Sequence, residues 1–262
     1  MKRSITKRKK SISFCVTCRN RLWQLKQTLA RNLAVLDDDQ EISLVNYGSE
    51  DGLSKWVWSN FKDYIDSEKL NFFDVKNDVS WNVSKAKNLA HRISNGEYLF
   101  NLDADNFITK EEIKLIEHQK KVGSLCHQWT GDPNDGSYGR IGCTRSLFFD
   151  LGGYDEGMLP MGMQDVDFLR RSKALTTRQM LPKPHIAAVR NTITQKVAEI
   201  NTNSSDSNKI FSQMVNLNNT LSKFKLLTEK TLSRNTSFTT YRGVLNGKII
   251  SIDGFDQIIT FS

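Results

Sequence analysis

The chain has 262 residues, of which 38% are hydrophobic and 25% charged, a composition typical of a globular protein with a substantial core. No stretch approaches the roughly 18 apolar residues needed to cross a bilayer, so the sequence argues against an integral membrane enzyme. The net charge of +8 favours acidic partners such as a nucleotide diphosphate, an anionic lipid surface or nucleic acid. An ordinary lysine-rich surface explains the same charge.

Six of the first ten residues are Lys or Arg, which predicts a basic N-terminal arm over residues 1–10. The apolar stretch 12–16 that follows is too short for the core of a signal peptide, so we expect a cytoplasmic protein. Cys15 and Cys18 form a C-x-x-C pattern, but no second pair answers it at zinc-finger spacing. We therefore expect reduced cysteines in a core.

Short apolar runs alternate with helical patterns over the first hundred residues, which indicates a parallel sheet with crossover helices. The predicted strands cover 12–16, 42–47 and 71–75, with a fourth beginning at Tyr98, and the predicted helices cover 22–33, 53–61 and 83–93. Asn95-Gly96 is a helix-stop and turn signal before the fourth strand.

The fourth strand ends on two acidic residues spaced by one, Asp103 and Asp105. Carboxylates at a sheet edge are hard oxygen ligands, which could hold a divalent cation and, through it, a diphosphate. Such triplets also occur in ordinary solvated loops. Thr109 and Glu112 fit a capping box, which places the acidic pair in a short loop before a new helix.

The pattern changes after about residue 190. Residues 201–208 are polar and linker-like, a helix is predicted to about residue 224, and 243–249 reads as a hairpin with an Asn-Gly turn. We therefore predict a main domain over 11–195 and a small separate C-terminal subdomain over 196–262, whose role the sequence does not indicate.

Six motifs occur in an order that resembles the GT-A glycosyltransferases, in particular those of family 2. They are the segments 17–21, 45–52, 81–88, 103–105, 152–156 and 161–167. The last two are also similar to the acceptor-side motif of galactosyltransferase and chondroitin-type enzymes. The resemblance covers about residues 10–190 and implies an α/β, Rossmann-like GT-A fold: a mostly parallel central sheet flanked by helices, with a small C-terminal extension.

The resemblance also implies donor contacts from several strand ends and one helix. The implied donor-binding residues are Thr17, Arg19, Asn20, Asn46, Asp51, Lys85, Asn88 and Asp103. Asn46 stands where the family usually has an aspartate, which leaves the identity of the base open. Asp51 could equally be a turn residue, and Lys85 could belong to a solvated helix face.

By the same resemblance, Asp105 and Asp103 would bind Mn²⁺ or Mg²⁺, with His185 as a third ligand or else as a structural histidine. Asp165 would be the catalytic base of an inverting transfer. Asp167 is the alternative base, although two steps along a helix it should point elsewhere. Acceptor contacts are expected from Gln164 and Trp129, with a core position as the alternative for Trp129.

Together these features predict a metal-dependent, inverting glycosyltransferase with a nucleotide-sugar donor, UDP-sugar by preference. The expected acceptor is a glycan or a lipid-linked saccharide. Two alternatives stay open at this point. The first is transfer to modified DNA, which the basic arm favours, and the second is a nucleotide- or nucleic-acid-binding module that keeps the fold without catalysis.

Overall fold

A computed structural model describes residues 9–77, 79–133, 135–200 and 204–254, and the backbone of 258–260. Most of the predicted basic arm lies outside these residues. Lys9 and Lys10 are described, and their ammonium groups contact the Glu97 carboxylate and the Asp38 carbonyl, respectively. The prediction of a DNA acceptor, which depends on the arm, therefore stays a prediction.

The described residues alternate strands and helices through the first half of the chain, as the sequence predicts. In chain order the elements are β1 (Lys10–Cys18), α1 (Leu22–Ala34), β2 (Gln40–Asn46), α2 (Leu53–Asn60), α3 (Lys62–Asp66), β3 (Leu70–Val75), α4 (Val83–Ile93), β4 (Gly96–Asn101), α5 (Lys110–Val122), β5 (Leu125–His127), β6 (Ile141–Thr144), α6 (Arg145–Asp150), α7 (Gln164–Ser172), β7 (Arg178–Met180), α8 (Ile193–Val197), α9 (Ser207–Thr228), β8 (Tyr241–Leu245), β9 (Lys248–Ile252) and β10 (Ile258–Thr260).

One sheet runs through the described residues in the order β10-β9-β8-β3-β2-β1-β4-β6-β5-β7. Its centre, β3-β2-β1-β4, is parallel, whereas β6 and β8 are antiparallel to their neighbours in it. The chain moves from β1 to β2 and β3 on one side, and then returns to place β4 on the other side of β1. The carboxyl ends of β1 and β4 therefore flank a topological switch point, which is where open α/β sheets form ligand crevices.

Alternate residues of β1 point to opposite faces of the sheet and enter two separate cores. Phe14 and Val16 pack into one core, beneath α1, α2 and α5, whereas Cys15 packs into the other, beneath α4, α6 and α7. Both faces of the central strands are thus covered by helices. This coverage explains why these strands read as continuous apolar runs rather than as an alternating pattern.

Local signals in the sequence fix several element ends. Thr109 and Glu112 form the predicted capping box at the start of α5. The predicted hairpin is confirmed as β8 and β9, with Asn246 and Gly247 both at positive φ, the geometry that an Asn-Gly type I′ turn requires. The four cysteines are buried and free, as expected for a reduced core.

The C-terminal part is more integrated than the sequence predicts. β8 pairs with β3, so β8, β9 and β10 extend the central sheet instead of forming a sheet of their own. Helix α9 packs against α7. The prediction that 196–262 forms a separate subdomain is therefore wrong for the described residues of this region. A polar stretch around residue 201 looks like a linker, but the pattern gives no information on pairing with β3.

Candidate active site

A cleft of about 260 Å³ opens at the carboxyl ends of β1 and β4. The strand ends contribute Thr17, Arg19, Asp103 and Asp105 to its walls, and the loop before α7 with the first residues of that helix contributes Met161–Asp165. Residues that follow the predicted main domain also reach it, among them Lys196, Glu199 and Phe211. The switch point of the sheet and the C-terminal extension therefore build one site together.

The acidic pair lies at the floor of this cleft. Asp105 accepts hydrogen bonds from the Asn106 and Asn191 side-chain amides, at 2.6 and 2.9 Å. Burial, together with the negative charge of Asp103, raises the pKa of the Asp105 carboxyl to about 6. Gly139 packs so closely on Asp103 that a Cβ there would lie 2.6 Å from the carboxylate. Gly139 therefore lets the loop that carries it lie directly against the Asp103 carboxylate.

Lys87, on α4, joins the acidic pair to the predicted base. Its Nζ lies 2.7 Å from Asp165 Oδ1 and 3.6 Å from Asp103 Oδ1, and its side chain is almost completely buried. Burial of the ammonium group opposes its charged form, but the two carboxylates outweigh this effect and raise the pKa of Lys87 above its usual value. Lys87 is therefore a fixed positive charge between two elements that are far apart in the sequence.

Asp165 lies in the first turn of α7 and faces the cleft. Met163, two residues before Asp165, has φ of +73°, a left-handed conformation that turns the chain sharply into the helix. Gln164 also lines the cleft, and its amide donates to the Leu159 carbonyl at 3.0 Å. The loop geometry therefore presents both Gln164 and Asp165 to the same space.

Asp167 points away from the cleft, as its position on the helix predicts. Its carboxylate is fully buried, 2.7 Å from Arg171 Nε, and it accepts a hydrogen bond from Ser222 on α9. Arg234 lies 3.7 Å from the same carboxylate. Asp167 thus ties α7 to the C-terminal extension, and among the two aspartates only Asp165 faces the cleft.

The loop after β1 is held by the segment that follows residue 190. Glu199 accepts hydrogen bonds from Arg19 Nε and from the Asn20 amide, at 3.0 and 2.8 Å. Arg21 Nη1 donates to Asn191 Oδ1 at 2.6 Å, and Asn191 in turn donates to Asp105. The segment from Asn191 to Glu199 therefore crosses the cleft and bridges its cationic and acidic walls.

Five of the residues expected to contact the donor do not line the cleft. Asn20 is the first of them, and its side-chain amide donates to Glu199. Asn46 is buried and bonds to Asp74 and to the backbone of Ser49. Asp51 accepts from the backbone N–H groups of Leu22 and Leu53 at the starts of α1 and α2, a structural position.

The other two residues are on α4. Asn88 is buried against the 154–156 loop, where its amide donates to the Tyr154 carbonyl and to Glu156. Lys85 is partly exposed outside the cleft, and Lys87 occupies the place we expected for it.

His185 does not reach the acidic pair. Its ring contacts the Thr109 hydroxyl and its backbone N–H donates to Glu112, which places it at the start of α5. The capping box of that helix holds the 183–185 segment, and Asn191 contacts Asp105 instead. Trp129 likewise lies behind the cleft wall, with its indole N–H on the Asp132 carbonyl and its ring against Tyr138, which does line the cleft.

The residues at the floor suit a hard divalent cation. Asp103 and Asp105 supply carboxylate oxygens, whereas Asn191 turns its amide N–H toward Asp105 and its amide oxygen toward Arg21. The described residues contain no cluster of three or more His, Cys, Asp or Glu side chains arranged around one point. Mg²⁺ and Mn²⁺ sites in nucleotide enzymes often use one or two carboxylates, with substrate phosphates and water completing the shell, so the donor set fits such an ion.

A central sheet of this topology, with a cleft at its switch point and an acidic pair after β4, is the architecture of a GT-A glycosyltransferase. The sequence model of glycosyl transferase family 2 matches residues 13–163, more than half of the chain. The chain therefore belongs to glycosyl transferase family 2, and the predicted enzyme class, a nucleotide-sugar-dependent glycosyltransferase, is confirmed. No curated protein matches the chain.

Solved structures share the fold at low sequence identity. TarS 1–349 of S. aureus in complex with UDP is 16% identical, with a TM-score of 0.54 over 84% of this chain and 75% of that one. The mannosyltransferase PcManGT from Pyrobaculum calidifontis, in complex with GDP-Man and Mn²⁺, is 14% identical, with a TM-score of 0.58 over 83% of this chain and 65% of that one. These similarities confirm the predicted GT-A fold.

Within the described residues, no helix has the length and apolar character that would let it span a membrane.

Proposed function

We propose that this enzyme is a metal-dependent, inverting glycosyltransferase that moves a sugar from a UDP-sugar to a hydroxyl of a glycan or a lipid-linked saccharide. The proposal depends above all on one observation, that Asp103, Asp105 and Asp165 face a single cleft at the switch point of the sheet. If the donor diphosphate binds near the acidic pair, the sugar attached to it would point toward Asp165.

Asp105 and Asp103 would hold Mn²⁺ or Mg²⁺, with the Asn191 amide N–H orienting the Asp105 carboxylate. When bound, such an ion neutralises the charge that develops on the leaving diphosphate. Thr17, Arg19 and Arg21 line the same side of the cleft, where cations and a hydroxyl suit a nucleotide diphosphate. The complexes of TarS with UDP and of PcManGT with GDP-Man and Mn²⁺ support a nucleotide donor and a divalent ion.

Asp165 would take the proton from the acceptor hydroxyl as the hydroxyl oxygen attacks the anomeric carbon, opposite the departing diphosphate. Lys87 holds this carboxylate at 2.7 Å and keeps it next to the acidic pair. Gln164 and Tyr138 line the same part of the cleft and could position the acceptor.

The proposal is tested by thermal unfolding with UDP-glucose, UDP-GlcNAc and GDP-mannose, each with Mn²⁺ or with EDTA. A ligand that binds only the folded state raises the melting temperature by mass action, so we expect a shift of several degrees with a UDP-sugar and Mn²⁺. Asp105→Asn should abolish the metal-dependent shift, whereas Asp150→Asn, an exposed aspartate outside the cleft, should not. No donor-dependent shift in any condition would favour a binding module without catalysis.

A further inference from the structure

Helix α9 presents an exposed apolar stripe on its outer face. Leu217, Phe224 and Leu227 are 60%, 61% and 86% exposed. Leu217 and Phe224 are seven residues apart, two helical turns, and Leu227 follows one turn later, so the three side chains lie along one side of the helix. Three large apolar side chains in a row on a solvent-facing helix mark an interaction surface.

The charged side chains of α9 itself have a single sign. The 22 residues of α9 include three lysines and no aspartate or glutamate. Lys209 and Lys223 are exposed beside the stripe, and in the part of the chain that is described no carboxylate lies within ion-pair distance of either. The carboxylates at the two ends of the helix are engaged, since Asp206 caps the Lys209 backbone N–H and Glu229 pairs with Arg234.

The inner face of the same helix holds the candidate active site together. Asn218 is fully buried, and its side chain accepts from the Leu159 backbone N–H and donates to the Gly162 carbonyl, both at 2.8 Å. Phe211 lines the cleft itself. Anything that binds the outer face of α9 is therefore one helix diameter from the loop that presents Asp165.

We propose that the outer face of α9 docks on an anionic lipid surface. An apolar stripe flanked by lysines is the pattern of a helix that lies in the membrane interface, with its apolar side chains in the acyl boundary and its cations at the headgroups. Docking in this way would present a lipid-linked saccharide to the cleft. This consequence rests on the proposed function, whereas the docking itself does not.

Sedimentation of the full chain with vesicles tests the proposal. The vesicles are of phosphatidylcholine alone, or of phosphatidylcholine with about one third phosphatidylglycerol, which supplies the anionic surface. We expect binding to the anionic vesicles only. The double variant Phe224→Ser/Leu227→Ser should lower the affinity for these vesicles by about tenfold or more, because the apolar area that enters the interface is lost.

Matched variants distinguish vesicle binding by α9 from vesicle binding by other surfaces of the protein. Ile249→Ser removes an apolar side chain that is 64% exposed on β9 and should leave vesicle binding unchanged. Lys209→Gln/Lys223→Gln should weaken binding by about fivefold per lysine, whereas Lys26→Gln/Lys55→Gln, two exposed lysines elsewhere, should have a smaller effect. All variants keep residues 1–10, so any binding by that segment is common to them.

Two results would overturn the proposal. The first is equal vesicle binding by the native chain and the Phe224→Ser/Leu227→Ser variant. The second is no binding of the native chain to anionic vesicles. If light scattering then shows a dimer that the same substitutions dissociate, the stripe is an interface between two copies of this chain. Vesicle binding needs no donor, so neither result bears on the proposed transferase activity. That activity is tested separately by the thermal-shift panel.

Discussion

Lys87 Nζ lies 2.7 Å from Asp165 and 3.6 Å from Asp103, so one buried cation joins the end of β4 to the start of α7. The two carboxylates belong to segments more than sixty residues apart, and each would repel the other without the ammonium group between them. This contact therefore sets the distance between the acidic pair and Asp165 in the cleft.

Lys87→Met should lower kcat/KM for sugar transfer by about 10²-fold or more, because a preorganised charge at the reacting centre is lost. Lys87→Arg should retain more activity than Lys87→Met. Lys85→Met is the matched control, since Lys85 is on the same helix outside the cleft and its loss should be silent. Initial-rate kinetics with the donor identified by the thermal-shift panel measures all three. Loss of activity in Lys85→Met alone would show that the wrong lysine has been placed in the cleft.

Substitution of the two aspartates of α7 should have different effects, one on the rate of transfer and the other on stability. Asp165→Asn should keep the fold and the donor affinity but slow transfer by about 10²–10⁴-fold, the usual contribution of a general base. Asp167→Asn should instead lower the free energy of unfolding by about 3–5 kcal/mol, because it breaks a fully buried ion pair with Arg171. Urea unfolding and single-turnover kinetics on both variants distinguish these effects. A stable Asp167→Asn protein with no activity would reverse the assignment.

The sequence predicts the parallel half of the sheet well because its signals are local. Apolar runs, the Thr109–Glu112 capping box and the Asn246-Gly247 turn each act within a few residues. The pairing of β8 with β3 joins segments far apart in the chain, and nothing in either strand specifies its partner. The local pattern therefore predicts a separate C-terminal subdomain, where the structure instead adds strands to the central sheet.

Helix α4 shows why the sequence selects Lys85 for donor binding, whereas the structure places Lys87 in the cleft. The apolar stripe of α4 is nearly centred on Ala86. At 3.6 residues per turn, Lys85 and Lys87 lie about 100° to either side of Ala86, so helical periodicity does not distinguish between the two lysines. Asn88 lies on the side opposite the stripe, where exposure is expected, yet the 154–156 loop buries it. His185 fails for a related reason. Spacing along the chain cannot show that its segment is held at the start of α5.

Glu199 places a carboxylate on Arg19 and Asn20, two residues that we expect to contact the anionic donor. Glu199→Gln should therefore tighten the binding of UDP by about fivefold, the equivalent of roughly 1 kcal/mol for a partly exposed ion pair. Glu50→Gln makes the same change in net charge at an exposed position and should leave the affinity unchanged. Calorimetric titration with UDP and Mn²⁺ measures both variants. Weaker binding by Glu199→Gln would mean that Glu199 positions Arg19 for the nucleotide instead of competing with it.

His91 should make the stability of the enzyme depend on pH. Its ring is buried, stacked on Phe148 with centroids 4.4 Å apart, and its Nδ1 lies 2.7 Å from the Lys87 carbonyl. Burial lowers the pKa of His91 to about 3, whereas a histidine in the unfolded chain has a pKa near 6.5. Between these values the unfolded state binds a proton that the folded state does not, so stability falls as the pH drops below about 6.5.

The expected loss from this one group is about 1.4 kcal/mol in the free energy of unfolding at pH 5.5 relative to pH 7.5. His91→Gln cannot titrate, so its stability should depend less on pH across this interval, although the variant is less stable overall. The pKa of His127 is also lowered, chiefly by burial, so part of the dependence should persist in the variant. Urea unfolding followed by circular dichroism at several pH values between 5.5 and 7.5 gives the two slopes. Equal slopes for the native chain and His91→Gln would show that His91 is not the group responsible.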